Sequence, residues 1–383
     1  KLILLTPFNK IFGKKVSISN FHLFNLEHEI IIKPSPFIDF LLKTFVSFLD
    51  GLSFINIEFR KKIGKVLNLD QSFYSGKEIS FKASQQFGKN YLYDHLEKNF
   101  KSSSEWKEIE LKYKSPSLPM HLKEKAVDFL ENNCQDSINK KWIVLHVLDN
   151  LNNDYARGAN IENYYSAIEY LIQKGFHVFR IGDSSMPKCR EIAGLTDLTR
   201  ITHQNYIDLY LISKSFLFIG TQSGPAYATN LFKKNLLLTN TSDWSTSLPR
   251  KYGNFFIPKT FIRKKNDTEI SLFDLFKEDF NFQVNTNSLS NRDFYLKENT
   301  SQEILDAVKD YFIFKKDKTE YSIEQKNYNR KKYEWLKKTL INNNNLQINY
   351  APKKQKGLIR SRSIAESETS GTIARSFINK HTH

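Results

Sequence analysis

The sequence has few of the residues that cross-link a fold or hold a metal ion. Among its 383 residues are two cysteines, Cys134 and Cys189, too few for a disulfide framework or a cysteine-rich metal site. We therefore expect a reducing compartment. The sequence also contains no Asp-x-Asp motif, so it predicts no bound Mg²⁺ or Mn²⁺.

Long apolar runs are also missing. The most apolar stretch, residues 36–55, is interrupted by Asp39, Lys43 and Asp50, whereas a bilayer-spanning helix needs about 20 consecutive apolar residues. No secretory signal is recognisable, so we expect a cytoplasmic protein. The chain opens on the apolar residues 2–5, which read as a strand already in progress, and we expect a truncated N-terminus.

Basic residues dominate the charge. The sequence has 57 lysines and arginines against 41 acidic residues, a net charge of +16, which indicates an anionic partner. The basic residues are spread out and no recognition motif is visible, so nucleic acid is not the expected partner. Residues 36–55 place apolar side chains at helical spacing, which fits either a core helix or a surface helix that contacts an anionic membrane through flanking lysines.

Apolar segments alternate with helical patterns from residue 141 onward. Strands are predicted near 141–147, 177–181, 199–202 and 216–219, and helices near 160–172 and 206–213. This alternation predicts an α/β fold with a doubly wound parallel sheet, in which ligands bind beyond the carboxyl ends of the strands. His146, the 148–158 loop, Asp183 and the 220–225 turn all follow strands, so we expect them to converge.

The stretch FLFIGTQSGPAYATNLFKKNLLLTN, residues 216–240, reads as strand, turn, helix and strand, with the helix reaching Lys233 and Lys234. Its turn offers backbone N–H groups at a helix N-terminus, and Thr221 and Ser223 add hydroxyl groups, which together suit an anion. The alternative is an ordinary turn in which Ser223 caps the helix.

Three single residues each have two interpretations. His146 either binds a ligand or is a hydrogen-bonded structural histidine. Asp149 is either a general base or a solvated loop carboxylate, as is Asp154. Asp183 either binds a ribose hydroxyl or caps a turn. Further along, residues 300–303 form a capping box that opens an amphipathic helix, and a basic helix follows at about 318–340.

Two segments carry a family resemblance. ARGANIENYYSAIEYLIQKGFHVFRIGD (156–183) and the 216–240 stretch resemble a family of bacterial glycosyltransferases found among surface-polysaccharide functions. The Ser-Gly-Pro turn is similar to the phosphate-holding turn of heptosyltransferases. The segment WIVLHVLDN (142–150) is similar to a strand end of fucosyltransferase-like enzymes.

The resemblance implies a GT-B-like architecture of two Rossmann-like domains that face a cleft. The implied divisions are an acceptor-side domain over 1–138 and a nucleotide-sugar-binding domain over 139–290. The sequence pattern itself predicts C-terminal helices over 291–345 and a basic tail over 346–383, partly docked through Ile373 and Phe377. The implied activity is metal-independent, cofactor-free transfer from a nucleotide-sugar donor to a glycan or lipid-linked acceptor at the inner face of the cell membrane.

The resemblance also implies roles for residues. His146, Asp149 and Arg157 would be catalytic. The donor would be bound by Asn160, Gly182, Asp183, Thr199, Gly220, Thr221, Gln222, Ser223, Gly224 and Pro225. Leu148 departs from the pattern, which has arginine there, and Arg157 is the expected replacement. The alternatives are a nucleotide-sugar epimerase or hydrolase of the same fold, or a non-catalytic nucleotide-sugar-binding protein.

Overall fold

The computed structural model describes residues 115, 117–149, 156–242, 249, 251–276, 293–317, 320–342 and 371–382, together with four short strands. These are β1 (Ile3–Leu5), β2 (Lys10–Ile11), β3 (Lys14–Lys15) and β4 (Ile30–Ile32). β1 pairs with β4 in parallel, and β2 pairs with β3 antiparallel. The helix expected at 36–55 lies outside the described residues.

The chain divides into two compact units, Lys1–Glu97 with Ala351–Leu358, and Lys98–Tyr350 with Ile359–His383. In chain order the second unit contains α1 (Met120–Asn133), β5 (Lys141–His146), α2 (Tyr165–Gln173), β6 (Phe176–Arg180), β7 (Leu195–Asp197), α3 (Asn205–Lys214), β8 (Leu217–Gly220), α4 (Gly224–Leu231), β9 (Leu236–Thr241), β10 (Phe255–Pro258), β11 (Thr260–Arg263), β12 (Thr268–Glu269), β13 (Phe294–Lys297), α5 (Ser301–Asp317), α6 (Ile323–Asn342), β14 (Thr372–Ile373) and α7 (Arg375–Lys380).

Seven strands form a parallel sheet in the order β14-β10-β9-β8-β5-β6-β7. The chain moves outward from β5 through β6 to β7, and then returns to place β8 on the other side of β5. Six of these strands therefore follow the order 3-2-1-4-5-6 of a Rossmann-like fold, whose direction of winding reverses between β5 and β8. β11, β12 and β13 form a separate antiparallel sheet.

The central strands are buried because their sequences are apolar on both faces. Every residue of β6, β8 and β9 is buried, which is typical of parallel strands covered by helices on both sides. α2 packs on β6, and α5 packs on α2 and on β10. α2 ends at Gln173, and Gly175, just beyond the helix, has the left-handed conformation predicted for it, with φ of +85°.

Two predicted boundaries are wrong. The strand expected at 199–202 is β7, four residues earlier, and residues 198–200 form a 3₁₀ turn instead. The Asp197 carboxylate accepts the Thr199 N–H at 3.2 Å, so a side-chain cap ends the strand. α4 ends at Leu231, before the predicted Lys233, because Lys233 takes a left-handed conformation with φ of 52°.

The C-terminal segments pack on the same sheet. The predicted capping box opens α5: the Thr300 N–H donates to Glu303 Oε2 at 2.8 Å, and the Glu303 N–H donates to Thr300 Oγ1 at 3.3 Å. β14 extends the sheet beside β10, and the predicted apolar contacts Ile373 and Phe377 are buried there. Within the described residues, no helix is both long and apolar enough to cross a membrane.

Candidate functional site

The site begins where β5 and β8 end side by side, at the reversal of winding. His146, the last residue of β5, is paired with Gly220, the last residue of β8. A Cβ added to Gly220 would lie 2.1 Å from the carbonyl oxygen of His146, closer than any side chain tolerates. Glycine at 220 therefore lets the two strand ends touch and places the following turn directly beside His146.

Thr221 fixes the turn to the chain leaving β5. Its N–H donates to the carbonyl oxygen of His146 at 3.0 Å, and its Oγ1 accepts the N–H of Leu148 at 3.0 Å. The Thr221 side chain is completely buried. Its hydroxyl group therefore links the turn to the chain after β5, and a contact from Thr221 to a ligand stays a prediction.

Ser223 occupies the position before α4, but its side chain makes no capping hydrogen bond. Its Oγ lies 3.1 Å from Nδ1 of His146 and 3.1 Å from the carbonyl oxygen of Thr221. The hydroxyl has one proton, so the tautomer of His146 decides which of the two accepts it. Ser223 is therefore the N-cap residue of α4 by position, but the first N–H groups of α4 have no side-chain acceptor from it.

His146 is buried and uncharged. Burial lowers its pKa to about 4, the nearby Arg180 charge lowers it further, and Asp183 acts in the opposite direction. A neutral imidazole keeps one nitrogen as an acceptor at physiological pH. Both interpretations of His146 therefore remain open. Its contact with Ser223 fits a structural histidine, and its position beside the turn after β8 fits a ligand-binding one.

Arg180, the last residue of β6, was not predicted as part of this region. Its side chain is buried, and its Nη1 lies 3.1 Å from Asp197 Oδ2 and donates to the carbonyl oxygen of Pro187 at 2.5 Å. A buried guanidinium needs such partners to offset the loss of water. The signal in the sequence is an arginine at the end of a mostly apolar strand, FHVFR.

Asp183 caps its own turn. Its Oδ1 accepts the Ser185 N–H at 2.9 Å and also the Ser185 hydroxyl, and these hydrogen bonds lower the pKa of the carboxyl group. Gly182 has φ of +151°, and a Cβ there would lie 2.4 Å from the sulfur of Met186. Thr199 is buried and donates its hydroxyl to Asp197 at 2.6 Å. Contacts from these residues to a ligand stay predictions.

The 156–160 segment lies beside the residues that follow β5. The Ala159 N–H donates to the carbonyl oxygen of Leu148 at 2.8 Å. Asn160 caps the 3₁₀ turn Ile161–Tyr164 by accepting the Glu162 N–H at 3.0 Å. Arg157 is exposed and Asp149 is half-buried, each within two residues of the Leu148–Ala159 bond. Their catalytic roles stay predictions.

The remaining predicted residues belong to the turn itself. Gln222 and Pro225 are half-buried, and Pro225 stands in the first turn of α4. Gly224 is exposed, and a Cβ built on it would meet nothing within 4 Å. The space in front of the first turn of α4 is therefore open at Gly224.

A buried polar network stiffens the neighbouring strand end. Asn240 and Asn299 exchange two hydrogen bonds, from the Asn240 N–H at 2.6 Å and from the Asn299 N–H at 2.7 Å. The Asn240 amide also donates to the Tyr164 hydroxyl, which lies 2.7 Å from Thr239 Oγ1. This network was not predicted, although an asparagine two residues after the apolar run LLL is a visible signal.

A metal site is not visible in the part of the chain that the structure describes, where no three His, Cys, Asp or Glu side chains are grouped to hold an ion. Metal independence of the expected reaction stays a prediction.

Comparisons with known proteins add little to this geometry. No protein-family model matches the chain, and no curated protein matches it. Part of the chain is similar to the solved structure of E. coli ADP-heptose lps heptosyltransferase II, at 14% identity and a TM-score of 0.26. The match covers 32% of this chain and 38% of that chain. A similarity of this size supports no statement about activity.

Proposed function

We propose that this chain binds the diphosphate of a nucleotide-activated sugar at the reversal point between β5 and β8. We further propose that it is a glycosyltransferase that passes the sugar to a glycan or lipid-linked acceptor without a metal ion. One observation carries the proposal: the Ser223 hydroxyl and the start of α4 lie beside the neutral His146, at the edge where α/β sheets bind ligands.

The start of α4 suits a diphosphate in both charge and access. The N-terminus of a helix carries a partial positive charge of about half an elementary charge. Since Ser223 makes no side-chain cap, the first N–H groups of α4 are available to an anion. The open space at Gly224 allows phosphate oxygens to approach the backbone.

Glycosyl transfer leaves negative charge on the departing diphosphate, which these N–H groups and Arg157 would stabilise in place of a metal. The acceptor hydroxyl must also lose a proton. An imidazole with a pKa of about 4 is about as basic as an ordinary carboxylate, whose pKa is about 4. His146 and Asp149 are therefore both candidates for the general base. The base is whichever of the two side chains reaches the acceptor hydroxyl.

The wider architecture belongs to the same proposal. A GT-B arrangement would place the acceptor in a domain formed by residues 1–138. We propose that residues 36–55 contact the inner face of the cell membrane, where a lipid-linked acceptor would be found, and that the protein is otherwise cytoplasmic.

A non-catalytic nucleotide-sugar-binding protein is the second candidate, and Leu148 favours it. Where the resembling enzymes have arginine, Leu148 supplies no charge, and its backbone N–H is taken by Thr221. If Arg157 replaces the missing cation, Arg157→Ala will abolish transfer while the melting temperature stays near that of the wild type. Early melting with full specific activity would instead make Arg157 a structural residue.

Two measurements separate the candidates. A thermal-shift panel of nucleoside diphosphates first identifies the base that raises the melting temperature. The matching nucleotide sugar is then incubated with and without a glycan acceptor. Transfer supports the glycosyltransferase, turnover without acceptor supports an epimerase or hydrolase, and a thermal shift without turnover supports a binding protein. Absence of any shift across the panel contradicts all three.

A further inference from the structure

The opposite edge of the sheet, where the strands begin, carries a row of lysines. Lysines precede or open five strands that are neighbours in the order β10-β9-β8-β5-β6. These are Lys251 before β10, Lys234 before β9, Lys214 before β8, Lys140 and Lys141 at β5, and Lys174 before β6. Because neighbouring strands are about 4.8 Å apart, the row extends over roughly 19 Å.

A pocket of about 490 Å³ opens in the middle of this row, between the beginnings of β5 and β8. We call it the amino-edge pocket. Its lining consists of Lys140, Lys141, Lys214, Trp142, Tyr210, Ser215 and Phe216. The Lys141 ammonium lies 5.6 Å from the centre of the Phe216 ring. The pocket therefore combines three cationic groups with three aromatic walls.

The three lysines of the pocket are exposed. Within the described residues, Lys140, Lys141 and Lys214 form no ion pair with a carboxylate. Just beyond the pocket, burial and the charges of Lys214 and Lys251 lower the pKa of Lys234. Repulsion among these lysines costs free energy, and a bound anion would offset that cost.

The C-terminus of α3 opposes the binding of an anion in the pocket, but its partial charge is small. α3 ends at Lys214, and a helix C-terminus carries about half a negative charge. The Ser215 N–H and hydroxyl both donate to the Ile212 carbonyl oxygen, at 3.2 and 2.9 Å, which satisfies part of that end. The three full positive charges of the lysines exceed the partial negative charge that remains at the end of α3.

We propose that the amino-edge pocket binds a phosphate-bearing anion at a site separate from the carboxyl edge. β5 runs from the pocket at Lys141 to His146, so the two sites are about 17 Å apart at roughly 3.3 Å per residue. The volume suits one or two phosphate groups with an organic group against the rings. Lysine binds phosphate as a point charge, so the pocket selects for charge more than for shape.

Isothermal titration of the 383-residue chain with inorganic pyrophosphate tests the proposal. The variants are the double change Lys141→Gln/Lys214→Gln, the carboxyl-edge change Ser223→Ala, and the control Lys188→Gln, an exposed lysine that pairs with Glu191 outside the row. We expect the double change to weaken pyrophosphate binding at least tenfold in the Ser223→Ala background, and Lys188→Gln to have no effect there. Equal affinity in the double variant, or an equal loss with Lys188→Gln, overturns the proposal.

Vesicles distinguish the source of the phosphate. Wild-type and double-variant protein are sedimented with phosphatidylcholine vesicles, with and without phosphatidylglycerol. Less sedimentation of the double variant with the anionic vesicles identifies a lipid headgroup as the ligand. Equal sedimentation together with lost pyrophosphate binding identifies a soluble phosphate compound. Unchanged pyrophosphate affinity in the double variant overturns the proposal whatever the vesicles show, and none of these results depends on sugar transfer.

Discussion

The Ser223 hydroxyl lies 3.1 Å from Nδ1 of His146, although the two residues are 77 positions apart in the chain. The pair exists because β8 returns to lie beside β5, where the winding of the sheet reverses. The same pairing leaves the start of α4 without a side-chain cap from Ser223. The sequence indicates each residue separately, and the fold brings the two into contact.

Ser223→Ala is expected to weaken binding of the nucleoside diphosphate by about 1–2 kcal/mol, the contribution of one charge-assisted hydrogen bond. That corresponds to a roughly 5- to 30-fold rise in Kd, measurable by calorimetry. Ser223→Thr keeps a hydroxyl group and is the matched control. Unchanged affinity in Ser223→Ala would show that the hydroxyl does not contact the ligand.

Gly220→Ala and Gly224→Ala form a second matched pair. The first places a Cβ 2.1 Å from the His146 carbonyl oxygen, a backbone atom held in the strand ladder, whereas the second places it in open space. We expect Gly220→Ala to lower the free energy of unfolding by about 3 kcal/mol or more, the upper range for overpacking, and Gly224→Ala to change it by less than about 1 kcal/mol. Urea unfolding measures both. Similar stability for the two variants would contradict the close strand contact.

The buried His146 predicts a loss of stability in mild acid. Its pKa is lowered to about 4 in the folded protein, whereas an unfolded histidine titrates near 6.5. Between these values the unfolded chain binds more protons, so stability rises with pH from about 4 to 6.5 and is fully present above 6.5. The full contribution is about 3 kcal/mol, at 1.36 kcal/mol per pKa unit.

Urea unfolding of wild-type protein and His146→Gln across pH 4–7 checks this expectation. Burial also lowers the pKa of His177 to about 4. Among the described residues, the wild type therefore has two such histidines and the variant keeps one. The variant curve should therefore rise less steeply with pH. Parallel curves for the two proteins would show that His146 does not titrate in this window.

His381 predicts a pH range for the docking of α7. Its Nε2 lies 2.9 Å from Glu303, and its Nδ1 contacts Glu269. Burial alone would lower the pKa of His381, but these two carboxylates outweigh it and raise the pKa. Burial would raise the pKa of Glu303, yet hydrogen bonds from His381 and Lys380 lower it to about 2.

The two pKa shifts limit the docking of α7 at high pH and at low pH. The His381 contribution is complete below about pH 6.5 and is lost as the pH rises through the raised pKa. The Glu303 contribution is complete above about pH 4.3 and is lost as the pH falls toward 2. We expect amide-exchange protection of residues 371–382, corrected for intrinsic rates, to fall above neutral pH. His381→Gln should remove this fall, and protection that stays constant to pH 9 in the wild type would contradict it.

Local patterns predicted much of the second unit. Continuous apolar segments predicted β5, β6 and β8, because parallel strands covered on both faces have no polar face to interrupt the pattern. Gly175 and the capping box at 300–303 predicted helix ends, since caps are made by residues a few positions apart. The predicted position of β7 was wrong because the Asp197 side chain accepts a hydrogen bond from Thr199 and ends the strand. The pattern of apolar and polar residues does not show such a side-chain hydrogen bond.

The sequence alone determined the class of the fold and the edge of the sheet at which to seek a ligand, because strand and helix periods and glycine positions are local properties. Only the tertiary structure decided that Thr221 is buried, that Ser223 bonds to His146, and that the amino ends of five strands align their lysines. These facts depend on strand order. Strand order is set by hydrogen bonds between segments distant in the chain, and no short sequence window contains both partners.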